Sequence, residues 1–311
     1  MRLAREKREF FMHYTGTIWR PPYEASSMIL EVTAGCTHHQ CKFCTLYDDL
    51  PFKFRMTPID DIEADLKEAK GKFRIWIGHK ISRTFLTGAN PFVMSYGNLA
   101  ERALLIHDYL VECQTIAMFS SIRDIKNKKV WQLRRLRSLG INGISIGTES
   151  GDNSTLLLAN KGYTAKDLIE HCRKLDEAGI EYYFVYMTGL AGKGNGYRNA
   201  VNSAKVFSKV NPRFISVDSL TLFPDTELYR KAQERNFIPA GEKERLEELQ
   251  TFIKHLQIRT HLFANSVSNF YPTTAFLPKE RDRIVSELQY IIDTVSEEEM
   301  QEYRRNLHTL G

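Results

Sequence analysis

The chain has 311 residues, 42% of them hydrophobic and 26% charged, the proportions of a globular protein of one large domain or two small ones. That balance excludes a disordered chain, a collagen and a small disulfide scaffold. The net charge of +5, from 43 basic and 38 acidic residues, is mild and scattered, so it argues for neither nucleic acid nor an anionic surface as partner.

Apolar runs alternate with amphipathic ones along the chain. Residues 27–33 read as a strand that leads into three cysteines, and residues 58–70 as a helix with Ile59, Ile62 and Leu66 on one side. Residues 84–88 form a short strand and residues 99–111 a helix. A strand over 115–119 precedes a helix over 128–139, which Gly140 ends. After a strand over 143–147, residues 164–178 read as a helix with Thr164 as N-cap, Asp167 three positions on and Gly179 as its stop. A strand over 182–187, a helix over 199–210, a strand over 214–220 and a helix over 227–236 follow. Residues 242–256, 279–294 and 297–307 read as charged helices.

These elements make six strand-then-helix units of roughly 30–40 residues each. Such alternation implies parallel pairing with right-handed crossovers. Eight units would close a full barrel. The expected fold is therefore α/β, a partial (β/α)6 TIM-like barrel with a mainly helical C-terminal extension. Its expected divisions are an N-terminal extension (1–26), the partial barrel (27–239) and a helical extension packed on it (240–311). No apolar run approaches the ~20 residues of a membrane-spanning helix. Residues 1–11 are charged and lack the apolar stretch of a signal peptide. The expectation is a cytoplasmic protein with no membrane partner.

Of five cysteines, Cys36, Cys41 and Cys44 lie close together, separated by four residues and then two. Cys113 and Cys172 stand apart in expected helices. An odd, clustered set without an export signal points to metal binding or redox chemistry rather than disulfides. Three thiolates on one metal centre leave a position open, the mark of a site that does chemistry. A four-iron cluster ligated entirely by protein would need a fourth Cys. The cysteines alone leave an alternative, a structural zinc on Cys36, Cys41, Cys44 and His38 or His39, in a non-catalytic nucleic-acid-binding or regulatory protein.

A strand leading into three close cysteines, with the aromatic Phe43 before the last, resembles the radical S-adenosylmethionine (SAM) superfamily. Residues 87–91 (TGANP) are similar to its SAM-amine motif. Residues 146–151 (IGTESG), followed by 160–164 (NKGYT), resemble a segment of its oxygen-independent coproporphyrinogen-oxidase-like and cobalamin-associated branches. Residues 188–192 (TGLAG) are similar to their adenine-side loop, and residues 222–229 (LFPDTELY) to their sixth-strand element. The likeness covers about residues 20–235. The commonest superfamily cysteine spacing is three, then two; the longer first gap here carries over no substrate.

The resemblance implies a 4Fe–4S cluster on Cys36, Cys41 and Cys44 with SAM chelated at its open iron. It implies reductive cleavage of SAM to methionine and a 5′-deoxyadenosyl radical, which acts on an unidentified small-molecule substrate. A flavodoxin or ferredoxin-like electron donor would supply the electron. Implied SAM-side residues are Phe43, Gly88, Asn90, Glu149, Gly189 and Gly192. Gly88 would let backbone approach the methionyl amine, Asn90 would offer an amide acceptor, and Glu149 would meet the ribose or the ammonium. Gly189 and Gly192 would let backbone reach the adenine. Tyr47, just after the cysteine loop, is a candidate lid or relay. Tyr186 is a candidate because one parity of Tyr182, Tyr183 and Tyr186 must face the barrel interior, with core packing as the competing reading. Arg134, Arg135 and Arg137 read as a solvated helix face. RNA modification is a weaker alternative, since no RNA-binding domain and no second cysteine cluster is evident, so nucleic acid is not an expected partner.

Overall fold

The structure, a computed structural model, describes residues 12–76 and 80–307. The charged stretch of residues 1–11 lies outside the described residues. In chain order the strands are β1 (Met28–Glu31), β2 (Thr33–Gly35), β3 (Phe54–Met56), β4 (Arg83–Thr87), β5 (Thr115–Ser120), β6 (Ile141–Glu149), β7 (Tyr182–Thr188), β8 (Phe214–Ser219), β9 (Thr260–Ala264) and β10 (Thr273–Leu277). The helices are α1 (Ile59–Trp76), α2 (Tyr96–Tyr109), α3 (Ile122–Ile125), α4 (Val130–Ser138), α5 (Asn153–Leu158), α6 (Ala165–Ala178), α7 (Gly196–Phe207), α8 (Glu227–Gln233), α9 (Glu242–His255), α10 (Arg281–Thr294) and α11 (Glu297–Arg305).

One sheet runs β1-β4-β5-β6-β7-β8-β9-β10, and β2 pairs separately with β3. Every neighbouring pair from β1 to β9 is parallel, and β10 returns antiparallel to β9. The six strands read from sequence are β1 and β4 to β8, each followed by helix. The expected helix start at Thr164 is present as a capping box with Asp167, and Gly179 closes the helix at φ 68°, a conformation open to glycine.

Strand parity decides what faces the interior. On β7, Tyr182 donates to Asp176 of α6, Phe184 packs on Phe207 of α7, and Tyr186 stacks on Phe252 of α9 at 4.2 Å. These three face the helical layer. Tyr183 and Val185 face the concave side, where Tyr183 stacks on Phe214 at 4.1 Å. The turn at Pro22–Glu24 covers the start of the strands, with Glu24 bonded through both oxygens to Arg83 and Tyr23 bonded to Ser145.

Beyond residue 240 the chain supplies the three expected helices and also a hairpin. β9 extends the sheet from β8, placing His261 opposite Phe214 and Leu262 opposite Ile215. The exposed backbone of β8 is thereby paired, as an apolar strand edge requires. The segment between β9 and β10 is a non-helical turn tied to the end of β8. Ser268 accepts from the Ser219 amide at 3.0 Å, and Asn269 donates to the Val217 carbonyl at 2.7 Å. The five-residue strands THLFA and TTAFL alternate buried and exposed positions. They are too short to announce a seventh parallel strand without knowing that β8 lies open beside them.

Candidate active site

The cysteine loop leaves β2 and returns through β3, and the pairing of these strands closes its neck. The Cys36 amide donates to the Lys53 carbonyl at 2.9 Å. Gly35 has φ 79°, and a Cβ there would lie 2.3 Å from the Lys53 oxygen, so only glycine permits this approach. Within the loop the Cys44 amide bonds to the Cys41 carbonyl. His39 takes a positive φ of 48° and gives its amide to Cys36 Sγ at 3.3 Å. The extra residue of the four-residue gap is absorbed at that turn. The neighbouring βα loop pins the rest. The Lys42 amide bonds to the Ala159 carbonyl, and Asn160 donates to the Gln40 carbonyl at 2.9 Å.

His38 is bridged between two partners. Its Nε2 lies 2.6 Å from the Asn160 carbonyl, and its Nδ1 accepts from Arg123 at 2.6 Å. Burial and the Arg123 charge press its pKa down, against the Asn160 bond. His39 Nε2 is bonded to Asp48 at 2.6 Å. Both ring nitrogens of His38 are thus engaged, which takes it out of the zinc alternative, whereas His39 is bonded through Nε2 alone.

Cys36, Cys41 and Cys44 are free thiols, each half-buried. All three line a cavity of about 620 Å³, within the size range of small-molecule sites. Burial raises the Cys41 thiol and pushes Cys44 up to about 11. Cys113 lies instead in the turn after α2, with Sγ 3.3 Å from Thr84 Oγ1, not within a helix as expected. Cys172 is fully buried in α6.

Glu149 ends β6 with φ 61° and faces the same cavity. Its Oε1 lies 3.4 Å from Lys161 Nζ, while among the described residues its buried Oε2 has no hydrogen-bond partner. Gly147 leaves the room this carboxylate fills, since a Cβ there would lie 2.8 Å from Oε1. Burial raises the Glu149 pKa, and Lys161 counters it. Burial opposes the Lys161 charge in turn, but Cys41 and Glu149 outweigh it and hold the ammonium protonated. Lys161 also sits 5.5 Å from the Phe43 ring. Phe43 packs against the cluster of Leu190, Leu220, Leu228 and Phe237.

Asn90 lines the cavity, but its amide acts as a strut. Its nitrogen donates to Thr37 at 2.7 Å and to both oxygens of Asp124 at 3.1 Å, and its oxygen accepts from the Thr37 amide. Burial lifts Asp124 to about 6. Tyr47 lines the wall beside the cysteines, with its hydroxyl pKa raised by burial.

Three glycines and one tyrosine sit elsewhere than the sequence suggests. Gly88 is needed because a Cβ would lie 2.0 Å from Thr33 Oγ1, and it is Ala89 and Asn90 that reach the cavity. Gly189 and Gly192 pack beneath Arg245 and Phe237, and the Gly189 amide is taken by Glu248 at 2.8 Å. Tyr186 points away from the cavity and donates to Glu248 at 2.8 Å. Lys161 stands within the NKGYT segment, whereas no local pattern in the sequence marks Arg123, Asp124 or His171. Only the position of Lys161, shortly after a strand-end acid, carried a signal.

The family model described as the Radical SAM superfamily matches residues 30–204. The chain belongs to the radical SAM superfamily. No curated protein sequence matches it. Among solved structures, this radical SAM chain is similar to the methyltransferase TsrM from Kitasatospora setae, solved with cobalamin and a 4Fe–4S cluster bound. That match has 16% identity, a TM-score of 0.54, and covers 67% of this chain and 39% of TsrM. It is also similar to coproporphyrinogen III oxidase (HemN) from Escherichia coli, at 17% identity and a TM-score of 0.53, covering 74% of this chain and 52% of HemN. For methylornithine synthase (PylB) the identity is 14% and the TM-score 0.51, covering 89% of this chain and 85% of PylB. The chain thus spans about two fifths of TsrM and half of HemN, and the shared feature is the TIM-like radical SAM fold.

Membership implies a 4Fe–4S cluster and SAM as cofactors, with a reductant and a substrate besides. The residues present fit both groups. Three unpaired thiols on one wall match a site-differentiated cluster, and the orphaned Glu149 oxygen awaits a donor. Among the described residues no helix is long and apolar enough to cross a membrane.

Proposed function

We propose that the protein reductively cleaves SAM and directs the 5′-deoxyadenosyl radical at a small-molecule substrate. The observation that supports this reading is the presence of Cys36, Cys41, Cys44 and the half-paired Glu149 carboxylate on one cavity wall. Cys36, Cys41 and Cys44 hold the 4Fe–4S cluster, which supplies the electron that breaks a carbon–sulfur bond of SAM. Glu149 accepts hydrogen bonds from the SAM ribose through Oε2, and Lys161 counters the burial that disfavours its charge. Asn90 holds the cysteine loop to the end of β4 through Thr37. Phe43 anchors the loop beside Lys161. Gly88, Gly189 and Gly192 permit close packing on Thr33, Arg245 and Phe237 behind the ends of β4 and β7. Tyr47 shields the wall from solvent, which protects a radical from stray hydrogen donors. The electron comes from a flavodoxin or ferredoxin-like donor in the cytoplasm.

Anaerobic reconstitution with iron and sulfide, followed by SAM and dithionite, tests the reading. The expected result is a brown protein that releases 5′-deoxyadenosine, with chromophore and product both lost in Cys41→Ala and both kept in Cys113→Ser. One zinc per chain after expression, with no iron uptake, would overturn it.

A further inference from the structure

The cavity does not end at the cysteines. It runs on to the crevice between α3 and α6, where Arg123, Lys126, Asn127, Asp167 and His171 line it. His171 is 3% exposed, and among the described residues no hydrogen bond reaches either ring nitrogen. The nearest acid oxygen, on Glu170, is 4.0 Å from Nδ1. A buried imidazole without partners is costly unless a ligand completes it.

The charges around it are one-sided. The Asp167 carboxylate is engaged, accepting from the Thr164 amide at 2.8 Å and the Thr164 hydroxyl at 2.7 Å. Arg123 is bonded to Nδ1 of His38 at 2.6 Å. Among the described residues Lys126 makes no ion pair, and Lys174 is drawn to its carbonyl at 2.8 Å. Three cations and an orphaned imidazole thus meet two engaged carboxylates, Asp167 and Asp124, the latter held by Asn90 and the Ser121 amide, and the exposed Glu170. Such an end attracts an oxyanion and offers it charge-assisted donors.

We propose that this end of the cavity anchors the substrate by an oxyanion, a carboxylate or a phosphate, held by Lys126, Asn127 and His171 while the reacting end faces the cysteines. The proposal deepens the radical SAM reading and rests on it for the identity of the cysteine end. His171 contributes an N–H donor. Burial, Lys174 and Lys126 hold its pKa below the ordinary value, against Glu170 and Asp167. A bound anion offsets those cations and favours protonation.

Calorimetric titration of reconstituted, SAM-loaded protein tests this, with sulfate as a tetrahedral dianion and acetate as a carboxylate. At least one probe should bind saturably without displacing SAM, and the tighter one identifies the substrate's anion. Lys126→Ala and His171→Gln should each weaken that binding ~10-fold. Affinity should rise as pH falls from about 8 to 6, and the rise should be absent in His171→Gln. Lys126 is exposed, so its replacement leaves the fold intact even if the His171 variant unfolds. Absence of saturable binding, or binding equal in wild type and Lys126→Ala, overturns the proposal. So does competitive displacement of SAM, which would assign the anion seat to the carboxylate of SAM itself. Saturable anion binding in a protein that makes no 5′-deoxyadenosine would fault the cluster reading and leave the anion site standing.

Discussion

Lys161 Nζ stands 3.4 Å from Glu149 Oε1, with each side chain only 10% exposed. The two residues flank α5, so their pairing closes that loop against the end of β6. Glu149 holds a positive φ to face the cavity, while its second oxygen stays unpaired. A buried ion pair of this kind adds little net stability, because desolvating two charges offsets their attraction. Breaking it from one side is another matter.

Lys161→Met should destabilise the protein by ~3–5 kcal/mol near neutral pH, because it leaves an uncompensated buried carboxylate. Adding Glu149→Gln to the same chain should recover most of the loss. Urea unfolding of both variants checks this. An equal loss in single and double variants would mean that Lys161 matters by packing alone.

Glu149→Gln alone keeps the shape of the side chain and removes the charge. Loss of one charge-assisted hydrogen bond is ~1.5–3 kcal/mol, so SAM should bind roughly tenfold more weakly or worse. Equilibrium binding of SAM to the reconstituted protein reads the effect. Unchanged affinity would make Glu149 a structural end to β6.

Glu248 on α9 is fully enclosed and accepts from Tyr186, Asn199 and the Gly189 amide. Burial outweighs these three donors and lifts its pKa to about 7. A carboxyl whose pKa is raised by folding binds its proton more tightly in the native state. Its contribution is therefore fully present below the unfolded value of about 4.3 and is lost as pH rises through about 7, by up to ~4 kcal/mol. Stability measured by denaturant between those limits should fall with rising pH, and the slope should flatten in Glu248→Gln. An unchanged slope would place the titration elsewhere.

Truncation after Ala240 should give insoluble protein. It removes β9 from the open edge of β8, and it removes Arg245 and Glu248 from beneath Gly189 and beside Tyr186. A soluble truncated chain that still yields 5′-deoxyadenosine at the full-length rate would show that the C-terminal region is dispensable to the site.

The amino-acid sequence by itself determined what depends on near neighbours. Alternation of apolar strands with amphipathic helices implied the parallel α/β frame, because parallel strands need crossovers. Thr164, Asp167 and Gly179 marked both ends of α6, since caps are built within a few residues. The spacing of Cys36, Cys41 and Cys44, with the strand-end motifs in order, singled out residues that line one cavity. Only the tertiary structure decided what depends on residues distant in the chain. Gly88 is glycine because of Thr33, and Gly189 and Gly192 answer to Arg245 and Phe237. Tyr186 turned to the helices because strand parity, with Glu248 and Phe252 waiting on that side, placed it there. β9 and β10 became strands because β8 offered an unpaired edge. His38 was drawn from metal ligation by Asn160 and Arg123, which engage both of its ring nitrogens. Burial, pairing and orphaned atoms arise from such long-range contacts, which no local window of sequence contains.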